Sequence, residues 1–515
     1  MTTDTARLSL ADVVAQHARS RPGEFAIGDG DLRLSWLDFD RRVERCAAAL
    51  SAAGVSVGDR VLWLGQNSFR VQELLVACAR LGAGFCPANW RQSAAEIAFV
   101  VDDLSPTVVF TQEQEVGDTV DAGLALADHR AAIIVPHDDP DGGYGAWLAR
   151  APAAEAPRTG ASDAAVLFVY TAAFGGRPNA AMLSNRAILA QAVLMAPWMG
   201  VHAGHRYLNA GPLFHVGVFM ENFATLVAGG ANVFVRRSDG EDLCRTVETF
   251  RCTSGYIVGP MVDAVVAANT GGRFDLSSLR GKRGHPDYDT WVGVDDSPWG
   301  RSPGGYGQTE TMGMQTFTLL ADRDAIGTHG RPSPLVQVRV VDPDDREVAA
   351  GEIGEIVVRG TTVMNGYWNR PELNAERARG GWHHTNDLGR YEADGTFTFV
   401  GPRTRMLKSA AENIYPIEVE NALRSHPAVA DAAVIGVPDD TWVQSVKAIV
   451  VVAADAHASA EELIEHCRGR IAGYKKPRTV EFVDALPRVG FAVDYDALDA
   501  TFGGGNYPGG TTRST

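Results

Sequence analysis

The sequence has no Cys-x-x-Cys pair, no uninterrupted apolar run of membrane-spanning length and no excess of basic side chains. Its six cysteines, Cys46, Cys78, Cys86, Cys244, Cys252 and Cys467, mostly sit among apolar neighbours. That argues against a zinc site or a disulfide framework and for buried free thiols in a reducing compartment. A transmembrane helix needs about 18 or more consecutive apolar residues, so none is expected. Residues 1–8 lack the apolar core of a signal peptide, which makes the cytoplasm the expected location. With 47 Lys and Arg against 63 Asp and Glu, the net charge of -16 excludes non-specific nucleic-acid binding and docking on an anionic membrane.

What is present is globular. The 515 residues, 45% hydrophobic and 21% charged, exceed one ordinary core and imply two or more domains. Ser35 reads as the cap of a helix running to about Gly54, followed by a strand at Val61–Leu64. A helix over Val71–Leu81 closes at Gly82, and strand Phe85–Pro87, helix Ala94–Asp102 and strand Thr107–Phe110 follow. Such alternation predicts a doubly wound α/β sheet. The acidic, Gly- and Ala-rich stretch from Asp138 to Ser162 reads as a surface linker. The apolar run Ala164–Val169, a Gly-bearing turn and a helix from about Arg186 then outline a strand, an anion-cradling loop and a helix.

That turn begins Tyr170-Thr-Ala-Ala-Phe-Gly-Gly-Arg-Pro-Asn-Ala. It is not a GxxxxGK[ST] loop, because no Lys-Ser or Lys-Thr pair follows the glycines. It resembles the nucleotide loop of the adenylate-forming superfamily, which includes acyl-CoA synthetases, firefly-type luciferases and peptide-synthetase adenylation domains. Tyr170, Thr171, Gly176, Pro178 and Ser184 match the usual Tyr-Thr-Ser-Gly-Thr-Thr-Gly-x-Pro-Lys-Gly pattern and its later serine. The resemblance makes Thr171 and Gly176 nucleotide-binding. Ala172, Ala173, Phe174 and Gly175 replace the hydroxyl-rich run, and Asn179-Ala180 stands for Lys-Gly. The phosphate end has therefore lost a cation and hydroxyl donors.

The block Gly304-Gly-Tyr-Gly-Gln-Thr-Glu-Thr-Met-Gly313 is the most specific match. The resemblance places Tyr306 against adenine with Gln308 beside it, Thr309 near the phosphate and Glu310 on Mg²⁺, with Thr309 and Glu310 in the catalytic roles. Asp387, in Trp382-His-His-Thr-Asn-Asp387, matches the carboxylate that bonds both ribose hydroxyls. Phe214 and His215, in Gly211-Pro-Leu-Phe-His215, with Tyr256, Met261 and Gly305, match positions bordering an acyl pocket suited to an apolar or aromatic acid. His215 reads equally as a helix-start residue, and for any one of the apolar residues a core-packing role is the stronger reading.

The expected hinge motif Gly-Arg-x-x-Asp reads Gly401-Pro402-Arg403-Thr404-Arg405. Arg403, one position on, is the candidate for the ribose, and Arg405 stands at the pivot. Ala410 and Ala411 replace two glycines of a loop that relatives use in binding CoA. After Leu486-Pro-Arg488 a Ser-Gly-Lys triplet is expected, yet no lysine follows Lys476, and Val493 and Asp494 occupy the region.

The resemblance implies a large N-terminal α/β domain over residues 1–402, a small mobile α+β domain over 403–498 and a flexible tail from 499 to 515. It implies an AMP-forming carboxylate ligase using ATP and Mg²⁺, with CoA as a candidate acceptor and a small-molecule acid and nucleotide as partners. A homodimer is compatible with it. The altered phosphate groups keep two alternatives open: adenylation of an unusual acid with a non-CoA acceptor, and a pseudoenzyme binding nucleotide or acyl-CoA.

Overall fold

Ser35 accepts a hydrogen bond from the Asp38 N–H at the head of helix Trp36–Ala52, and Gly82 closes helix Phe69–Leu81 at φ 69°. Both ends follow their sequence signals: the Ser oxygen satisfies an orphan N–H, and glycine takes the left-handed cap without a Cβ. The computed structural model describes residues 7–139, 143–153, 156–171, 178–403, 405–409, 412–454, 456–489, 492–505 and 507. The expectations on residues 172–176, Gly176 among them, and on Ala410 and Ala411 lie outside the described residues.

Two largely parallel sheets organise the large domain. A six-stranded sheet runs in the order Ile133–Pro136, Val108–Thr111, Arg60–Leu64, Gly84–Pro87, Ala165–Thr171, Asn179–Ser184, with only the last pair antiparallel. A five-stranded sheet runs Ser254–Gly255, Arg206–Asn209, Ala231–Phe234, Phe25–Asp29, Leu32–Ser35. Helices Leu10–Ser20, Trp36–Ala52 and Phe69–Leu81 contribute Leu10, Trp36, Phe39, Leu74 and Leu75 to the main buried core. A four-stranded antiparallel sheet, Val336–Val341, Gly354–Gly360, His383–Tyr391 and Phe397–Pro402, completes the domain. Loops after the strand ends at Pro87 and Asn209 carry Arg91 and Phe214–His215, the usual ligand side of parallel strands.

Two expectations are corrected here. The segment after Thr171 does not pass straight into a helix; strand Asn179–Ser184 returns antiparallel to Ala165–Thr171 before helix Asn185–Trp198. The stretch from Asp138 to Ser162 is not only surface linker, because helix Tyr144–Ala149 lies within it. Tyr144 is 1% exposed and donates to Glu73, which also binds Arg42. Its aromatic side chains pack on Phe110 and outweigh the polar composition around them.

The small domain has its own α+β core. Its sheet pairs Val429–Asp439 with Val443–Val452, and Thr479–Phe482 joins the latter in parallel. Alternate residues of Val429–Asp439 serve opposite faces. Ala432 and Val434 pack with Val419, Leu423 and Leu463 from helices Pro416–Arg424 and Ala460–Arg468, while Ala433 and Ile435 pack with Leu486 and Leu498. The flexible tail expected from residue 499 is corrected for 499–505 and 507. Helix Tyr495–Phe502 covers the sheet, and Tyr507 bonds Gly436 N–H and Asp499. Buried Leu498 and the Tyr507 hydroxyl supply contacts that the Gly-rich composition conceals. Among the described residues no helix is long and apolar enough to cross a membrane.

Candidate active site

Gly305, at φ 149°, lies so close to the next strand that a Cβ would sit 1.9 Å from the Thr316 carbonyl oxygen. Only glycine fits this approach, and beyond it Gly307–Gln308 pairs antiparallel with Gly313–Met314. The turn presents Tyr306, Gln308 and Glu310 together. Tyr306 is buried with its ring stacked on Phe399 at 4.9 Å, and its hydroxyl donates to Asp387 Oδ2 at 2.6 Å. Gln308 Nε2 donates to the Tyr306 hydroxyl at 3.0 Å and to Asp387 Oδ2 at 3.3 Å. Asp387 reaches this position because its strand slips register and Asn386 adopts φ 61°, a local bulge that re-aims the side chain. Burial pushes the Asp387 carboxyl up to about 7, with the Tyr306 hydrogen bond opposing it and the Glu310 charge adding to it.

Glu310 is 4% exposed and accepts from the Tyr367 hydroxyl at 2.8 Å. Burial raises its carboxyl, while hydrogen bonds from Tyr367 and Thr171 pull it back. Thr171, at the end of strand Ala165–Thr171, is thus beside Glu310, and Thr309 opens the same turn half-buried. Among the described residues no group of three or more metal-binding side chains occurs. A carboxylate beside a hydroxyl nevertheless suits a hard cation that takes its remaining oxygens from phosphate and water.

Arg403 is placed elsewhere than the ribose expectation required. Its Nη1 lies 3.4 Å from Glu355 Oε2, which Arg379 and His384 also approach at 3.2 Å. The Arg403 N–H bonds the Asn386 carbonyl, and this turn sends the side chain to Glu355 and not to Asp387. Asn179, at the expected lysine position, accepts from Arg370 Nε at 2.9 Å, and Arg370 is itself paired with Asp103 at 2.7 Å.

Two of the residues expected at the acyl pocket, Phe214 and His215, meet the small domain. Phe214 and His215 lie with ring centroids 4.7 Å apart, and His215 Nε2 is 3.4 Å from Glu412 Oε2. Arg91 binds the same carboxylate and lies over the Phe214 and Tyr474 rings. Burial alone would raise the Glu412 carboxyl, but His215 and Arg91 outweigh it and hold it at about 2. The Tyr256 ring packs on Gly211, where a Cβ would come within 2.6 Å of it, and burial and the Glu412 charge push its phenol up. Asn67 holds this loop by donating to the Asn209 and Gly211 carbonyls and accepting the Leu213 N–H. Met261 packs instead on the core of Leu208, Val247 and Phe250.

Residues 14–368 match the model of the AMP-binding enzyme family, and residues 418–490 match the AMP-binding enzyme C-terminal domain. The chain belongs to this family. Within it the chain is acyl-CoA synthetase-like, of the adenylate-forming superfamily. It is 35% identical to a feruloyl-CoA synthase of Amycolatopsis over 92% of this chain and 95% of that one. It is 33% identical to an indoleacetate–CoA ligase of Aromatoleum aromaticum over 93% of this chain and 95% of the relative. A double mutant of o-succinylbenzoate CoA synthetase from Bacillus subtilis, bound to its product analogue, shares the fold at a TM-score of 0.78 and 25% identity. That match covers 95% of this chain and 98% of the other. These relatives are CoA ligases, and the pseudoenzyme alternative finds no support among them.

The structure brings Tyr306, Gln308 and Asp387 together with Glu310 and Thr171 close by, and sets Phe214, His215 and Tyr256 near Glu412; these are positions that the motifs singled out. The motifs did not point to roles for Arg91, Tyr367, His383, Phe399 or Glu412. Each of these acts on a partner distant in sequence, and no short pattern carries that pairing.

Proposed function

We propose that this family member is an AMP-forming acid–CoA ligase acting on an aromatic or other apolar carboxylic acid through an acyl-adenylate. Support comes chiefly from the joining of Tyr306, Gln308 and Asp387 into one hydrogen-bonded group, with Glu310 and Thr171 beside it. Asp387 accepts the ribose hydroxyls, Tyr306 borders the base, and Thr309 and Thr171 face the phosphates. Glu310 would hold the Mg²⁺ that accompanies ATP, and the cation would offset phosphate charge there. A carboxylate oxygen of the acid attacks the α-phosphorus and the bond to pyrophosphate breaks. The CoA thiolate then attacks the acyl carbon, and AMP leaves. Phe214, His215, Tyr256 and Gly305 border the acid, and the aryl-acid relatives favour a ring there.

On this reading the domains divide at residues 402 and 403, and the protein works in the cytoplasm. ATP–pyrophosphate exchange across aryl, aryl-acetic and alkanoic acids, followed by mass detection of products with CoA or an amine as acceptor, tests it. Exchange with an aryl acid and a CoA thioester product are expected. An amide product without a thioester would replace CoA as acceptor. No exchange with any acid, together with no AMP binding by calorimetry, would overturn the assignment.

A further inference from the structure

His383 opens the strand that carries Asp387 and is 7% exposed. Its Nε2 lies 3.2 Å from Gln308 Oε1. The other end of the same amide donates to Asp387 Oδ2 and to the Tyr306 hydroxyl. The Tyr306 proton is already committed to Asp387, so its oxygen can only accept from Gln308. These constraints leave one arrangement: amide oxygen toward His383, amide nitrogen toward the carboxylate. The reverse orientation would face a carbonyl oxygen to a carboxylate oxygen at hydrogen-bond distance.

We propose that His383 is a positioning residue for nucleotide binding: its Nε2–H holds the Gln308 amide oxygen and thereby turns the amide nitrogen onto Asp387. The proposal rests on Asp387 being the ribose anchor. Burial, with the Arg377 and His384 charges, carries His383 down to about 3, so the ring is neutral at working pH with Nε2 available as a donor.

The consequence falls on Asp387. Tyr306, Gln308, Glu310, Glu355 and Arg377 face this carboxyl, and Tyr415 of the small domain lies within its field. Burial already places it near 7, so loss of one donor shifts the balance between carboxylate and acid in the neutral range. A carboxylate accepts both ribose hydroxyls, and a protonated carboxyl accepts fewer. If the amide is freed to turn its oxygen inward, Asp387 titrates higher and AMP binding is lost at a higher pH.

The test is calorimetry of AMP binding from pH 5.5 to 8.5 on the full chain. His383→Leu is expected to raise the pH midpoint of binding and to weaken it about 10-fold at pH 7, the scale of one hydrogen bond to a charged group. Gln308→Met, at a half-exposed turn position, should do the same even if His383→Leu folds poorly. The double variant should be no worse than Gln308→Met alone. His383→Gln, whose amide can still donate, should restore much of the affinity. The proposal is overturned if His383→Leu binds with the wild-type midpoint. It is equally overturned if it weakens binding equally at every pH with His383→Gln no better. Asp387→Asn separates the two levels. Wild-type AMP affinity in that variant would remove the ribose assignment itself, whereas its loss beside a silent His383→Leu would remove only the role of His383.

Discussion

The Arg405 guanidinium is bonded to the Asp499 carboxylate and lies between two rings, 4.7 Å from Tyr495 and 4.4 Å from Tyr507. A basic side chain at a pivot can pair with different carboxylates as domains turn. Here it is committed to its own domain, with the paired side chains 12% and 13% exposed. Arg405 and the C-terminal helix Tyr495–Phe502 fit one another, which links two departures from the family pattern.

Arg405→Asp therefore sets two carboxylates face to face in a largely buried place. Breaking a buried pair costs on the order of 3 kcal/mol or more. The small domain should lose about that much in denaturant unfolding, and amide exchange should rise over residues 495–507. Unchanged exchange in that segment would show that the clamp contributes nothing.

Glu412 ties the small domain to Arg91 and His215, and the bond should depend on pH. Its carboxyl is held at about 2 against an ordinary value of 4.5. A depressed folded value stabilises docking above about 4.5, and that contribution disappears as pH falls toward 2. The difference is worth about 3 kcal/mol. Scattering profiles should broaden between pH 5 and 3 for the native chain. Glu412→Gln should already be broad at pH 7 and change little on acidification. A profile that ignores both treatments would contradict the docking role.

Local chemistry was readable in the sequence where a motif and its partner share a short turn. Gly305 and the alternating strand Val429–Asp439 declare their conformation through glycine geometry and period-2 burial. Asp387 and Tyr306 were found separately by pattern, and the fold joins them across 81 positions. Glu412 with Arg91 spans 321 positions and exists only once the small domain docks, so nothing near either residue signals it. Helix Tyr495–Phe502 hid for another reason: the glycines that follow it dominated the composition, while its anchors, Leu498 and Tyr507, are single residues. Arg403 was misplaced because Pro402 and the Asn386 carbonyl set the direction of the turn.

AMP should bind at least as tightly as ATP in the presence of Mg²⁺. Asn179 stands where the loop would present a lysine, and the nearby Arg370 is paired with Asp103, which is 7% exposed. Charge-assisted hydrogen bonds to phosphate contribute about 1.5–3 kcal/mol each, so their loss weighs on the triphosphate. On the proposed reading Asp387 and Tyr306 serve both nucleotides alike. Calorimetry giving clearly tighter ATP would mean that the loop supplies phosphate contacts of its own.

The C-terminal segment should not act in adenylation, and the structure changes how that is best tested. Arg488–Val489 pairs with Ala492–Val493, and Arg488 is bonded to Asp431 of the small-domain sheet at 2.6 Å. Val493 packs with Leu486, Ile435 and Leu498, and the Tyr495 hydroxyl donates to Glu420 at 2.6 Å. Deleting everything from Val489 would strip this face and remove Asp499, Tyr495 and Tyr507 from around Arg405, so lost activity would report unfolding. Val493→Lys is the sharper variant. It restores a cation near the expected position, but on a partly apolar surface where burying the ammonium costs about 1–2 kcal/mol. Pyrophosphate exchange should stay within about twofold of wild type. A gain of about 10²–10³, the scale of a transition-state donor, would show that this segment does swing into the site.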